Sequence, residues 1–296
     1  MVKIENPLDY DFMKAECFGK PNTGKSTFAM SICRIKPKIP TKKKIVYFVN
    51  DPTYIEALKN FVDNIDMFDI RQHRTLEEFE ADWDSFCDDY QYKTEYIGTK
   101  PVMNTDYIMK NVHAIVLDEG EQIYREGYVA RHARSLNKKA IDLKPSDYGV
   151  PRSDFTVQVN RMAMLPCHFI LCSKVGSEYR EERYMRVDGK PGALQFKKTG
   201  GDTYRLPDNV LYMPNLSMHL FEHKVEKIEH FTDTASGKEL IQPVLDQFGK
   251  KTYDTSYHGR ARKQKADREK DFTLQNPTMS KVMLKLRAMQ RKTDIQ

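Results

Sequence analysis

Four short, largely apolar runs recur along the body of the chain: Phe12 to Phe18, Ile45 to Val49, Ala114 to Leu117 and Phe169 to Cys172. Runs of this length without polar alternation suit strands buried on both faces. The second is β-branched and aromatic, bounded by a lysine cluster and by Asp51-Pro52. Between the runs, apolar positions recur at helical spacing. One helix is expected to start in the Gly24–Thr27 region. Another begins at Thr75, with Glu78 three residues later as a capping box. Leu76, Phe79, Trp83, Phe86 and Tyr90 form its apolar face, the other face is acidic, and Trp83 reads as a core anchor. Gln122 to Ala140 and Ser153 to Leu165 are two further helices by the same periodicity. Strands alternating with helices predict an α/β fold with a mainly parallel sheet flanked by helices.

After Lys174 the pattern changes. Ser177 to Arg205 is polar, glycine-containing and rich in Arg and Tyr. Strand-like stretches follow at Val210 to Tyr212, Ser217 to Phe221 and Val225 to Phe231, expected as C-terminal antiparallel strands. From about Lys250 the chain reads as a linker, since Gly259 to Lys270 is almost free of apolar residues. A last amphipathic helix is expected, with Met279, Val282, Met283, Leu286 and Met289 on one face and Lys281, Lys285, Arg287 and Arg291 mostly elsewhere. A Met-rich face after a polar linker suits docking on another protein or subunit. The expected division is therefore a main domain over 1–235, a polar basic linker over 236–270 and a basic amphipathic helix over 271–296.

Composition narrows the class. The 296 residues are 40% hydrophobic and 11% aromatic, enough for a real core, which excludes wholesale disorder. No run approaches the ~18 apolar residues of a membrane span. The first residues, Met1 to Phe12, lack the apolar stretch of an export signal. Five scattered cysteines, Cys17, Cys33, Cys87, Cys167 and Cys172, read as reduced intracellular thiols rather than a disulfide frame or zinc site. A cytoplasmic location is expected, that of a host cell if the chain is viral. The net charge of +6 is unevenly spread: residues 250–296 hold 13 Lys and Arg against 5 Asp and Glu, so the rest of the chain is close to neutral.

The sharpest chemical signal is Gly19-Lys20-Pro21-Asn22-Thr23-Gly24-Lys25-Ser26, which fits G-x-x-x-x-G-K-[ST] at every defined position. A strand-like run precedes it and a helical segment from Thr27 follows. The glycines let successive backbone N–H groups point at phosphate oxygens. Lys25 would place a charge on the β- and γ-phosphates, and the Ser26 hydroxyl would ligate Mg2+. The phosphate-binding set is thus Gly19 to Thr27, and the cofactors are ATP and Mg2+. A strand ending in a carboxylate should hold the metal through water. Ala114 to Leu117 followed by Asp118 supplies one, roughly ninety residues on, and makes Asp118 the second metal-organising residue. Two acids compete as general base for the attacking water. Glu119 follows Asp118 directly and is slightly favoured. Asp51 ends the Ile45–Val49 strand, which is expected to lie beside the phosphate-loop strand. Ser173, after the fourth run, is a candidate γ-phosphate sensor.

The ordered set Gly19–Ser26, Lys44–Asp51, Ala114–Glu119, Asp147-Tyr148-Gly149 leading into a helix, and Leu165–Ser173 resembles the RecA-like ATPases of bacteriophages, the Sak-type group associated with single-strand annealing and recombination. Leu206 to Tyr212, Met218 to Phe221 and Val225 to Lys227 are similar to that family's C-terminal strands. The resemblance spans roughly residues 10 to 235. Two positions differ: the second strand ends in Asp51 where the family tends to have a glutamate, and the third in Asp118-Glu119 where it often has Asp-Ser. The resemblance implies a RecA-like core, ATP hydrolysis and a homo-oligomeric ring or filament with an arginine supplied between subunits. Arg152, Arg161, Arg180 and Arg183 are candidates for that arginine. It also implies that Lys174 to Arg205 is a DNA-binding loop. Lys174, Arg180, Arg183, Arg186, Lys190, Lys197, Lys198 and Arg205 are interleaved there with Tyr179, Tyr184, Phe196 and Tyr204, a mixture suited to single-stranded DNA. Five acids in the same stretch equally suit a solvated surface hairpin. The basic tail would add to DNA binding, and the last helix would meet a phage recombination or replication protein.

Other readings share the loop. A viral DNA-packaging motor uses the same phosphate loop and Asp-Glu strand end, although the residues beyond Phe231 are too few for the nuclease domain of a large terminase. A nucleotide-gated assembly module would need no strong hydrolysis. A nucleoside kinase would want an arginine-rich lid, and nothing marks one clearly.

Overall fold

The computed structural model describes residues 12–35, 43–52, 54–92, 94–97, 100–103, 105–185, 191–204, 206, 216–232, 239–245, 247, 251, 253–262 and 272–285. In chain order the elements are β1 (Lys14–Gly19), α1 (Lys25–Met30), β2 (Lys44–Val49), α2 (Tyr54–Leu58), β3 (Phe68–Gln72), α3 (Leu76–Asp89), β4 (Thr94–Ile97), β5 (Lys100–Met103), α4 (Asp106–Asn111), β6 (Val112–Leu117) and α5 (Gly120–Gln122). A π-helical stretch, Ile123–Val129, leads into α6 (Ala130–Ser135). Then come α7 (Gly149–Ala163), β7 (His168–Met185), β8 (Pro191–Tyr204), β9 (Leu216–Glu226), β10 (Ile228–Thr232), β11 (Glu239–Pro243), β12 (Tyr253–Arg262), β13 (Phe272–Gln275) and a last helix, α8, over 279–285.

The main sheet has the order β13-β12-β9-β1-β7-β6-β2-β3. From β9 to β3 every pairing is parallel, and β12 and β13 close the β9 edge antiparallel. This is the mainly parallel α/β sheet expected; of the stretches expected as C-terminal antiparallel strands, Ser217 to Phe221 instead lies in β9, parallel to β1, and the antiparallel strands at that edge are β12 and β13. Both faces are covered, and alternation along each strand divides the core in two. Val46, Phe48, Ile115, Leu117, Phe169 and Leu171 face α3, the π-helical stretch and α7. Ile45, Tyr47, Val49, Ala114, Val116, Ile170 and Cys172 face α1 and its neighbours. Burial on both sides is why these strands read as unbroken apolar runs. The cap of α3 also forms: Thr75 accepts from the Glu78 N–H, and the Glu78 carboxylate accepts from the Arg74 N–H one residue earlier. Trp83 is buried in the core. Among the described residues no helix is long and apolar enough to cross a membrane.

Four expectations change. First, β2 does not neighbour β1. It lies between β6 and β3, so β7 and β6 both separate it from the phosphate-loop strand. Second, of the two readings of Lys174 to Arg205, the described residues form a hairpin: β7 runs on past the sheet to Met185 and pairs with β8 in antiparallel register. Third, the stretch expected as a linker contains β12, whose residues from Tyr253 to Arg262 pair with β9 from Glu226 back to Ser217. Backbone pairing that covers a sheet edge needs few apolar side chains, so hydropathy did not mark it. Fourth, α8 docks on the chain's own body. Met279 and Val282 are 0% exposed within the α1-side core, and the Met279 N–H donates to Ser31 Oγ at 2.7 Å. Those two side chains are not available to another protein. Leu286 and Met289, and the run Val210 to Tyr212, lie outside the described residues. The helix expected over Gln122 to Ala140 instead runs from Gly120 to Ser135.

The opposite end of the sheet from the phosphate loop carries a buried basic cluster. His168 Nδ1 accepts from the Met13 N–H at 2.9 Å, and His113 Nε2 meets the Ile32 carbonyl at 3.2 Å. Burial, reinforced by His113, Lys14 and Lys43, pushes His168 down to about 3, and burial also lowers His113. A histidine held neutral in the folded state contributes stability that is complete above its unfolded pKa and is lost as pH falls toward the folded value. Glu16, pushed up to about 7 by burial, slopes the other way between its ordinary pKa and 7, so the informative quantity is the difference between variant and parent. His168→Gln keeps an acceptor for the Met13 N–H without the titration. It is expected to lose less thermal stability than the parent between pH 6.5 and 4; parallel melting curves across that range would refute this.

Candidate nucleotide site

The phosphate loop joins β1 to α1. Its shape depends on two glycines for different reasons. Gly24 has φ +86° and Asn22 φ 63°, the left-handed conformation that glycine and asparagine adopt most readily. Gly19 is required by crowding: a Cβ there would run into the Leu220 carbonyl oxygen of β9 and into Thr23 Oγ1. The Thr23 hydroxyl donates to the Lys20 carbonyl at 2.8 Å and pins the loop. Lys25 is buried, and its Nζ donates to the same carbonyl at 3.0 Å. Lys20, Pro21 and Asn22 are exposed on the rim, and Thr27 lies in the first turn of α1.

Strand register carries the other residues to this point. Gly19 pairs with Lys174, Phe18 with Ser173, and Leu117 with Leu171, so β1 and β6 both end beside the Leu171–Lys174 part of β7, which itself runs on. Ligands of open parallel sheets bind at this carboxyl edge. Asp118 follows β6 and is buried. Its Oδ2 accepts from the Ser26 hydroxyl at 2.7 Å and from the Tyr47 hydroxyl at 2.5 Å, and its Oδ1 accepts from the Glu119 N–H at 3.0 Å. Ser26 and Asp118, 92 residues apart in sequence, are thus the hydroxyl and carboxylate pair that a hard, oxygen-seeking cation would use. Among the described residues no cluster of three or more His, Cys, Asp or Glu side chains forms a dedicated cation cage. One hydroxyl and one carboxylate are a donor set that fits Mg2+, which is commonly held by one or two protein oxygens together with substrate phosphates.

Glu119 adopts a left-handed backbone, φ 55° and ψ 40°, unusual for a residue with a Cβ. It is buried, and its Oε1 lies 2.8 Å from Lys174 Nζ, which is also 3.8 Å from Glu121 Oε1. Burial raises the Glu119 pKa and Lys174 opposes the rise; burial likewise raises that of Glu121. For Lys174, burial alone would lower the pKa, but the two glutamates more than offset it and the ammonium ends above its usual range.

Asp51 lies beyond β2 and still bears on this group, since its charge raises the pKa of both Glu119 and Lys174. It reaches the site from across β6, not from a strand beside β1. Ser173 is fully buried, and among the described residues its hydroxyl makes only a long contact, 3.5 Å, with the Lys174 carbonyl. The structure therefore gathers Lys25, Ser26, Asp118, Glu119 and Ser173 at one edge.

Sequence reasoning missed two participants. Tyr47 was one of five consecutive apolar-run residues, and only the rule that a buried tyrosine hydroxyl needs a partner pointed to it. Burial, and then the Asp118 carboxylate, push that hydroxyl's pKa well up, so it stays a donor. Lys174 was counted with the basic residues of the following stretch, but its ammonium turns inward.

No family model matches the chain, and no curated protein matches it. Among solved structures, the crystal structure of the KaiC-like protein PH0186 from the hyperthermophilic archaeon Pyrococcus horikoshii OT3 is similar over 83% of this chain and 84% of that chain, with 9% sequence identity and a TM-score of 0.37.

Proposed function

We propose that this chain is a RecA-like phosphate-loop ATPase that hydrolyses ATP with Mg2+ and handles single-stranded DNA in phage recombination or replication. The observation that carries the ATPase reading is the 2.7 Å contact between Ser26 Oγ and Asp118 Oδ2 beside a left-handed Gly24 and a buried Lys25. The strand order supports it, with β7 inserted between the phosphate-loop strand and the Asp118 strand. Magnesium, if bound here, would supply positive charge that offsets the charge of the phosphates. Lys25 adds a fixed positive charge to the same phosphates. Ser26 and Asp118 are the residues that would hold the metal, and Tyr47 fixes which way the Asp118 carboxylate turns. Glu119 orients the attacking water and takes its proton, with Asp51 the alternative base. Ser173 senses the γ-phosphate from the part of β7 beside the end of β1.

The DNA part of the reading rests on the β7–β8 hairpin and on the basic C-terminal residues. The hairpin springs from the strand that carries Ser173 and Lys174, and its sequence mixes Arg and Lys with Tyr and Phe. Basic side chains track phosphates while aromatic faces stack bases, a combination suited to single strands. A ring or filament would let an arginine of one copy reach the ATP of the next. Arg152 and Arg161, both exposed on α7, are candidates among the described residues.

The test is ATP turnover with Mg2+ in the absence of DNA, with single-stranded DNA and with duplex. Stimulation by single strands is expected to exceed that by duplex. A stronger response to duplex, with translocation along it, would favour a packaging motor. No Mg2+-dependent turnover under any condition would leave a nucleotide-gated assembly module.

A further inference from the structure

Lys174 stands at the junction between the nucleotide site and the hairpin. It is the last residue of β7 to pair with β1, opposite Gly19, and the next residue, Val175, is the first to pair with β8, opposite Tyr204. A movement of the hairpin relative to the sheet therefore acts on Lys174 before any other site residue. Its ammonium occupies one carboxylate oxygen of the favoured base, at 2.8 Å from Glu119 Oε1, and has Glu121 Oε1 behind it at 3.8 Å. Among the described residues Glu119 Oε2 has no hydrogen-bond partner, so Lys174 is the contact that sets where this carboxylate points.

We propose that Lys174 is a positioning residue that restrains Glu119 in the resting site, and that single-stranded DNA engaging the β7–β8 hairpin withdraws it. The proposal rests on the ATPase reading given above. An oxygen that accepts from an ammonium at 2.8 Å cannot at the same time accept from a water in that direction. A shift of about 1 Å at the root of the hairpin takes such a contact beyond hydrogen-bonding range. Glu121 then offers the ammonium a second carboxylate on the way out. A ligand moves this equilibrium only by binding one arrangement better than the other. The hairpin is the element whose two ends meet at Val175 and Tyr204, directly beyond the lysine.

The experiment compares the full chain with Lys174→Met and Lys174→Arg, measuring ATP turnover with and without a polythymidine oligonucleotide, KM for ATP and thermal stability. Lys174→Met is expected to raise the rate without DNA by roughly fivefold or more, the population ratio set by one charge-assisted hydrogen bond. KM for ATP should stay the same, and stimulation by the oligonucleotide should shrink toward none. Lys174→Arg, which retains a cation, should bring both quantities back toward the parent. A fall in turnover or a rise in KM in Lys174→Met, with its melting temperature preserved, would make Lys174 a phosphate ligand and overturn the proposal alone. A parent chain that hydrolyses ATP but ignores the oligonucleotide would remove the coupling to DNA. Silence in both the parent and Lys174→Met would overturn the ATPase reading and the proposal together, whereas a silent parent with an active Lys174→Met would be the strongest support for restraint.

Discussion

Lys25→Ala is expected to lower ATP turnover by roughly a hundredfold to a thousandfold, the cost of removing one preorganised donor from developing charge. The fold should survive the change. Within the described structure the Lys25 ammonium bonds only the Lys20 carbonyl, and the left-handed Gly24 that shapes the loop is untouched. Alanine is the best helix former, so the start of α1 is kept. Thermal melting and circular dichroism should match the parent while Mg2+-dependent phosphate release collapses. A variant that retains more than about a tenth of the activity would show that the loop does not hold the phosphates that react, and the functional reading would fail with it.

Removing residues 250–296 is expected to abolish cooperative folding. Read as a linker and a free helix, this segment would be dispensable for the core. The structure makes it part of the core. Its loss strips β12 from the whole length of β9, the strand whose Leu220 carbonyl crowds Gly19. It also opens the α1-side core where Met279 and Val282 pack with Phe28, Met30 and Ile32. Truncating one fully buried methionine to alanine costs about 2–5 kcal/mol. Taking away two buried side chains and two strands exceeds much of a typical domain's ~5–15 kcal/mol. Met279→Ala alone should therefore show a clear drop in melting temperature with its circular dichroism unchanged. A truncated chain that melts cooperatively at the parent's temperature would mean that α8 and β12 are appendages after all.

The two expectations differ in what made them legible. The phosphate loop lies in eight consecutive residues, and its last three defined positions have a local reason, a left-handed turn at Gly24, a cation at Lys25 and a hydroxyl at Ser26, while Gly19 is crowded by Thr23 and also by the distant Leu220 carbonyl. Asp118 was readable because a buried strand followed by an acid is also a local pattern. Asp51 was readable as a strand end but misplaced, because nothing in a strand's own residues says which strand will lie beside it. The role of Tyr47 was hidden for the same reason: its partner, Asp118, is 71 residues away and on the neighbouring strand. Lys174 was assigned by its neighbours in sequence to a DNA-binding stretch, and its contacts in space assign it to Glu119.

By itself, then, the sequence determined the glycine-lysine loop after β1, the strands buried on both faces and the acid that follows β6. Each of these is written in short-range periodicity, or in residues whose backbone conformation is a property of their own side chain. Only the tertiary structure decided the strand order, the pairing of β12 with β9, the docking of Met279 and Val282, and the meeting of Lys174 with Glu119. Those depend on register and on which faces come together, and they are set by the summed burial of many side chains distant in sequence, a quantity that no local stretch of the chain contains.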